Sequence, residues 1–340
     1  MAEFVNSTEW DINPENFGEK IVFSQGTKPK RIFHYTSIGG LQGILENKCL
    51  RFTNINYLND KDEIKAGLDS LAKAIDSTIE EKEKMLTPIR EIGAETFVCC
   101  FSLDEDSLPM WNYYTKEIHN QGYNIEFSDR LLVESILLSN PQLAGCGLSF
   151  GVVEYCKNDD SHYSKAFSNE IISSFEIAMA QLVYALAKNR LQDDSKALRE
   201  WEEQIDILKK NKKETQVNVY RYNGKFGKFK RDTSGNYLYF VKRDYFSPEK
   251  ELRIAITVPS NKLSTLKSQG IYKYRISNGL LIPYLELKFN PASIKGITIS
   301  PTMQSDLAEQ SVQDFLRYCD FPMDNNMQEF VKKSKIPVRF

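Results

Sequence analysis

Two rhythms of apolar and polar residues run along the chain, and together they divide it into elements. Period-two alternation or short apolar runs predict strands at Arg31–Tyr35, Leu50–Thr53, Phe97–Ser102, Tyr123–Phe127, Ser149–Tyr155, Tyr237–Val241, Leu252–Val258, Leu280–Phe289 and Ile294–Ile299. Helical spacing predicts a helix after Ser37, where Ile38, Leu41, Ile44 and Leu45 share a face and Gly39, Gly40 and Gly43 allow close approach of a neighbour. Glu63–Ile92 reads as a long charged helix on the outside, Leu108–Tyr114 as a turn or short helix, and Asp129–Leu138 as a helix. Asn169–Lys213 is helical in pattern, with Ile171, Phe175, Ala178, Leu182, Leu186 and Leu191 spaced for one face, and a closing helix is expected near Asp306–Tyr318.

Strands early and late with helices between them predict an α+β protein. Its expected parts are an irregular lead-in at 1–30, a first part at 31–155, a helical and basic insertion at 156–235, and a second part at 236–340.

Composition narrows the class. With 340 residues, 41% hydrophobic and 26% charged, the chain can bury a substantial core. A formal charge of −2 announces no nucleic-acid partner, so any basic surface is local. No apolar run is long enough to span a membrane, and Met1–Asn6 lacks a secretory pattern, so a cytoplasmic protein without membrane contact is expected. Six scattered cysteines and three histidines (His34, His119, His162) offer no zinc spacing, so no metal is expected, and Cys99 and Cys100 read as buried strand thiols.

The chemistry-bearing residues lie far apart in sequence. If Leu252, Ile254, Ile256 and Val258 face a core, Glu249, Glu251 and Arg253 share the other face, with the carboxylates roughly 7 Å apart. Such a pair suits glycosidic-bond cleavage through an oxocarbenium-like centre; a solvated edge with an Arg253 ion pair is the plainer alternative. His34 lies opposite Phe33 and Tyr35 on its strand, where it can donate to a ribose hydroxyl or serve as a structural histidine. Trp111, Tyr113 and Tyr114 can stack on a heterocycle or fill a core, and Asn59-Asp60 suits either a substrate contact or a turn. Between Lys209 and Arg231, nine Lys or Arg residues stand against Glu214 alone, with Tyr220, Tyr222, Phe226 and Phe229 interleaved. This stretch, with Lys225, Lys228, Lys230 and Arg231, is the candidate nucleic-acid surface, and a solvated basic loop is its alternative. No dinucleotide-binding glycine fingerprint, phosphate-binding loop, zinc-protease motif or nucleophile elbow occurs.

The ordered set Phe33-His34-Tyr35-Thr36-Ser37, Leu50-Arg51-Phe52 with Asn59-Asp60, Cys100-Phe101-Ser102, Met110-Trp111 with Tyr113, Glu249-Lys250-Glu251-Leu252-Arg253 and Ile297–Pro301 resembles the bacterial domain-of-unknown-function family numbered 2971. That family is in turn similar to ADP-ribosyltransferases of the DarT type, which modify single-stranded DNA. The resemblance implies two small packed, mostly antiparallel sheets around an NAD cleft, with NAD as co-substrate. It implies catalytic roles for Glu251, Glu249 and His34, with Glu251 stabilising the cation and Glu249 orienting the acceptor. It further implies NAD contacts from His34, Tyr35, Thr36, Arg51, Ser102, Trp111, Tyr113, Tyr114 and Arg253, with Tyr113 or Tyr114 stacking on nicotinamide. The acceptor would be a nucleic acid or a protein, in a toxin or antiphage-defence setting. NAD hydrolysis in the same cleft and a non-catalytic nucleic-acid or nucleotide-binding module built on 209–231 are the competing functions. The sequence leaves oligomeric state open.

Overall fold

The computed structural model describes residues 9–11, 31–58, 94–115, 121–143, 146–156, 203, 206, 220–223, 228–231, 239–277, 279–303, 305–321 and 327–337. β1 (Glu9–Asp11) is followed by β2 (Arg31–Thr36), α1 (Ile38–Asn47) and β3 (Cys49–Asn54). Then come β4 (Glu95–Ser102), α2 (Leu108–Tyr114), β5 (Tyr123–Ser128) and α3 (Asp129–Ser139). β6 (Gly147–Val152), β7 (Glu154–Cys156), β8 (Tyr220–Asn223), β9 (Lys228–Arg231), β10 (Val241–Arg243) and β11 (Glu251–Val258) lead to α4 (Ser260–Ser268). β12 (Tyr272–Ser277), β13 (Leu280–Lys288), β14 (Ile294–Ile299), α5 (Asp306–Tyr318), α6 (Met327–Phe330) and β15 (Val331–Lys333) complete the described elements.

The protein is α+β, as the patterning predicts, and its sheet is open and mostly antiparallel. Its sheet forks. Strands run β1-β9-β8-β6-β11-β4, and the far edge of β4 is then shared by two arms, β2-β5-β14-β15 and β3-β13-β12. β2 meets only the end of β4, with Phe33 opposite Ser102, while β3 meets its other half, with Thr53 opposite Val98 and Asn54 opposite Phe97. The expected pair of separate packed sheets is therefore one branched sheet, because β4 is hydrogen-bonded into both arms. β7 and β10 form a small parallel pair.

α1 connects the two arms. Ser37 caps it by accepting from the Gly40 N–H at 3.2 Å, Lys48 closes it in a left-handed conformation, and Leu41, Ile44 and Leu45 enter the core. That core also takes Leu252, Ile254, Ile256 and Val258 from β11, Phe97, Cys99 and Phe101 from β4, and residues of β3, β5, β13 and β14. Each large apolar side chain buried there contributes roughly 1.5–3 kcal/mol relative to exposure. A second cluster of Phe33, Tyr35, Met110 and Trp111 holds α2 against the other face of β2.

Three segments differ from expectation. Glu9–Asp11, inside the expected lead-in, pairs with β9, and the described parts of the expected insertion include β8 and β9, which extend the sheet beyond β6. Of the strand expected at Tyr237–Val241, Tyr237 and Leu238 lie outside the described residues, Tyr239 and Phe240 form a 3₁₀ turn, and the strand runs Val241–Arg243. The helices expected at Glu63–Ile92 and in Asn169–Lys213 lie almost wholly outside the described residues. No helix among the described residues is long and apolar enough to cross a membrane.

Candidate active site

The fork opens a cleft of about 610 Å³, within the roughly 300–1,000 Å³ that small-molecule sites occupy. β4 backs it, and α1 contributes Gly39, Gly40, Gly43 and Asn47. Glu249, Glu251, Arg253, Lys242, Tyr113 and Tyr114 line one part, and Arg51, Thr53, Tyr57, Arg275, Ser277 and Glu286 line another.

Period-two geometry aims Glu251 and Arg253 at this cleft while Leu252 and Ile254 enter the core. Across the ladder, Glu251 faces Ser102 and Arg253 faces Cys100. Arg253 grips the Glu251 carboxylate with both arms, Nε to Oε1 at 2.7 Å and Nη2 to Oε2 at 3.0 Å, and donates from Nη1 to the Tyr239 carbonyl at 2.7 Å. Lys242 Nζ donates to Glu249 Oε2 at 2.8 Å and Glu251 Oε2 at 3.3 Å, and lies 4.5 Å from the centre of the Phe246 ring. The Glu251 N–H donates to the Tyr155 hydroxyl at 2.8 Å.

All four charged side chains are buried, so each anion depends on its cations. Burial pushes Glu251 upward, but Arg253 and Lys242, helped by the Cys100 thiol, outweigh it and hold the carboxyl at about 2. Glu249 moves the other way: burial raises it, Lys242 offsets only part of the effect, and the charge on Glu251 adds to the rise. Burial and both carboxylates also push the Tyr114 phenol well above its ordinary value. One carboxylate is thus a fixed anion, and its neighbour is the better proton acceptor.

The expected shared strand face is only half correct. Glu249 ends the 3₁₀ turn Asp244–Glu249, and Lys250, at φ 43°, breaks the strand period before Glu251. Lys242, not strand geometry, brings the carboxylates together. The Arg253 ion pair is present, but in the interior rather than on a solvated edge.

His34 occupies the fork itself. As β2 leaves β4, His34 Nδ1 takes the Cys100 carbonyl at 3.0 Å, in place of a backbone partner. A carbonyl only accepts, so Nδ1 carries the proton and the neutral ring keeps Nε2 as an acceptor. Burial lowers the imidazole below its ordinary value, and the Cys100 bond offsets only part of this. Neutral His34 can therefore accept from a ligand hydroxyl, the reverse of the donation expected from sequence.

The remaining candidates divide. Thr36, Arg51, Tyr113 and Tyr114 line the cleft; Arg51 is exposed with its guanidinium 5.2 Å from the Tyr284 ring centre, and Tyr113 is 53% exposed. Tyr35 also borders the cleft, but its hydroxyl donates to Asp104 O at 2.9 Å and accepts from Ser107 N at 3.0 Å. Two residues are elsewhere. Trp111 is buried against Tyr35 and donates from Nε1 to Asp106 at 2.8 Å, and Ser102 donates to the Glu249 carbonyl at 2.7 Å, supporting the turn before Glu251. Neither belongs to the cleft lining. Lys228, Lys230 and Arg231 lie on β9, separated from β11 by β8 and β6, while Lys225, Asn59, Asp60, His119 and His162 fall outside the described residues.

Sequence reasoning missed Lys242, Cys100, Tyr57, Arg275 and Ser277. Lys242 carried one readable signal: it directly follows the apolar pair Phe240-Val241, both buried. Comparison with protein-family models, curated proteins and solved structures found no match.

Proposed function

We propose that the cleft binds NAD and transfers ADP-ribose to a macromolecular acceptor. The observation that carries this reading is the pair of buried carboxylates held by one lysine, displaced in opposite directions and sharing a cleft with a neutral histidine. NAD supplies an activated glycosidic bond between an anomeric carbon and nicotinamide. His34 accepts from a ribose hydroxyl and orients the sugar. Glu251, ionised at any working pH, faces the positive charge that grows as that bond breaks and its electron pair leaves with nicotinamide. A nucleophile of the acceptor forms the new bond at the same carbon, and Glu249 takes its proton. Because Arg253 and Lys242 draw down the field of Glu251, its effect depends on fixed alignment rather than on net charge.

The test is nicotinamide release from NAD by the unaltered protein and by Glu251→Gln. A loss on the order of 10²–10³-fold is expected, as for other preorganised electrostatic groups. Equal release by both proteins would falsify the assignment. Hydrolysis is the second reading, favoured by the same raised Glu249, which can deprotonate water as readily as an acceptor. Mass spectrometry separates free ADP-ribose from an attached adduct.

A further inference from the structure

Among the described residues, β12 pairs with β13 alone and forms the outer edge of its arm. The Glu286 N–H donates to the Ile271 carbonyl at 3.0 Å, and Tyr272 stands opposite Leu285. That register turns the backbone groups of Lys273, Arg275 and Ser277 toward β13 and those of Tyr272, Tyr274 and Ile276 outward. Side chains alternate as well. Arg275 and Ser277 line the cleft, whereas Tyr274 and Ile276, 57% and 80% exposed, lie on the opposite face. Leu281, 64% exposed, stands opposite Ile276.

An open edge with exposed aliphatic side chains is a template for a further strand, and soluble proteins usually blunt such edges. Charge points to its occupant. Around this edge, from Pro259 to Leu285, the chain carries Lys262, Lys267, Lys273 and Arg275 and no Asp or Glu, with Lys273 paired to Glu286 of β13. Outward backbone groups at strand spacing match a peptide, and the exposed side chains beside them are mainly aliphatic, Ile276 and Leu281, with Tyr274 the ring next to them, packed on Tyr272.

We propose that the β12 edge receives an extended acidic segment of a protein acceptor as an added strand. Alternate side chains of that segment then enter the cleft mouth beside Arg275 and Ser277. The inference rests on the cleft being an ADP-ribosyl transfer site and narrows its acceptor to protein.

The probe is a short labelled peptide of alternating glutamate and valine, followed by fluorescence anisotropy. Three results are expected: saturable, salt-sensitive binding; loss of binding when alternate backbone nitrogens of the peptide are methylated; and weakening of roughly tenfold by Ile276→Pro, which removes an outward donor and spares the β13 ladder. Ile276→Glu keeps the backbone and adds repulsion, so it weakens binding even if the proline variant misfolds. Equal affinity for the methylated peptide overturns the proposal. So does preference for a single-stranded oligonucleotide over the peptide, or a dimer that Ile276→Glu splits. Nicotinamide release by the unaltered protein is read in parallel. Its absence alongside intact peptide binding overturns the cleft reading alone, and release without peptide binding overturns the edge alone.

Discussion

His34 and Glu251 both bond to Cys100, the imidazole to its carbonyl oxygen and the carboxylate to its thiol. One residue of β4 thereby uses its edge to hold the fork open and its face to hold an anion. Two segments distant in sequence converge because β2 abandons the β4 ladder beyond Phe33 while β11 follows β4 along its whole length.

Glu251→Gln should destabilise the protein, apart from the loss of nicotinamide release that the proposed function expects. Arg253 is completely buried, and removing its charged partner leaves a cation that interior groups stabilise poorly. A loss of roughly 3–5 kcal/mol is expected for breaking such a pair. The double variant Glu251→Gln/Arg253→Met should recover much of it in urea denaturation, since neither charge then remains. Because the folded-state value of Glu251 lies below its unfolded one, its contribution is complete above about 4.5 and is lost as pH falls toward 2.

His34 should remain neutral to unusually low pH. Its folded value lies below 6.5, so the unfolded chain binds its proton first and stability falls as pH drops below 6.5. An imidazole proton resonance assigned to His34 by comparison with His34→Gln should titrate below 6.5. Titration at or above 6.5 would contradict the buried, carbonyl-bonded geometry.

Most local elements were legible because their signals are local. Asp306–Tyr318 and Ile294–Ile299 match their predicted spans, and the Ser37 cap and core face of α1 follow from spacing alone. β12 was not legible: Tyr272–Ser277 interleaves Lys273 and Arg275 with apolar residues, and its outer face stays exposed, so it lacks the buried run that marked other strands. The carboxylate pair was visible, but its geometry was not. Lys250 in a left-handed conformation and Lys242 between the two acids are tertiary facts, and Trp111 entered the core because Tyr35 and Asp106 hold it there.

The three glycines of α1 should separate into two classes. A Cβ at Gly40 would clash with Thr36 Oγ1, so Gly40→Ala must displace a cleft residue. At Gly39 and Gly43 an added Cβ meets nothing within 4 Å among the described residues, so close packing of a protein neighbour, expected from sequence, accounts for Gly40 alone. Gly43→Ala should stabilise the fold by up to about 1 kcal/mol, because glycine inside a helix costs about that much. Gly43→Trp should keep the fold, fill the cleft and abolish nicotinamide release. Thermal denaturation and NAD turnover measured together on the three variants decide this.

Glu134 makes a prediction remote from the cleft. It lies on α3, is 2% exposed, and neither carboxylate oxygen has a hydrogen-bond partner among the described residues. Burial pushes its carboxyl up to about 7, so the neutral acid is the favoured folded form. Here the linkage runs opposite to Glu251: between 4.5 and 7 the folded chain holds a proton that the unfolded chain has released, and stability declines as pH rises through that window. Above it, the ionised group is carried at a cost of roughly 3 kcal/mol. Glu134→Gln should flatten this slope, and Glu134→Leu should also raise stability at pH 8 by a similar amount. Denaturant titrations at pH 5 and pH 8 test both, and a slope that survives in Glu134→Gln would assign the pH dependence to another group.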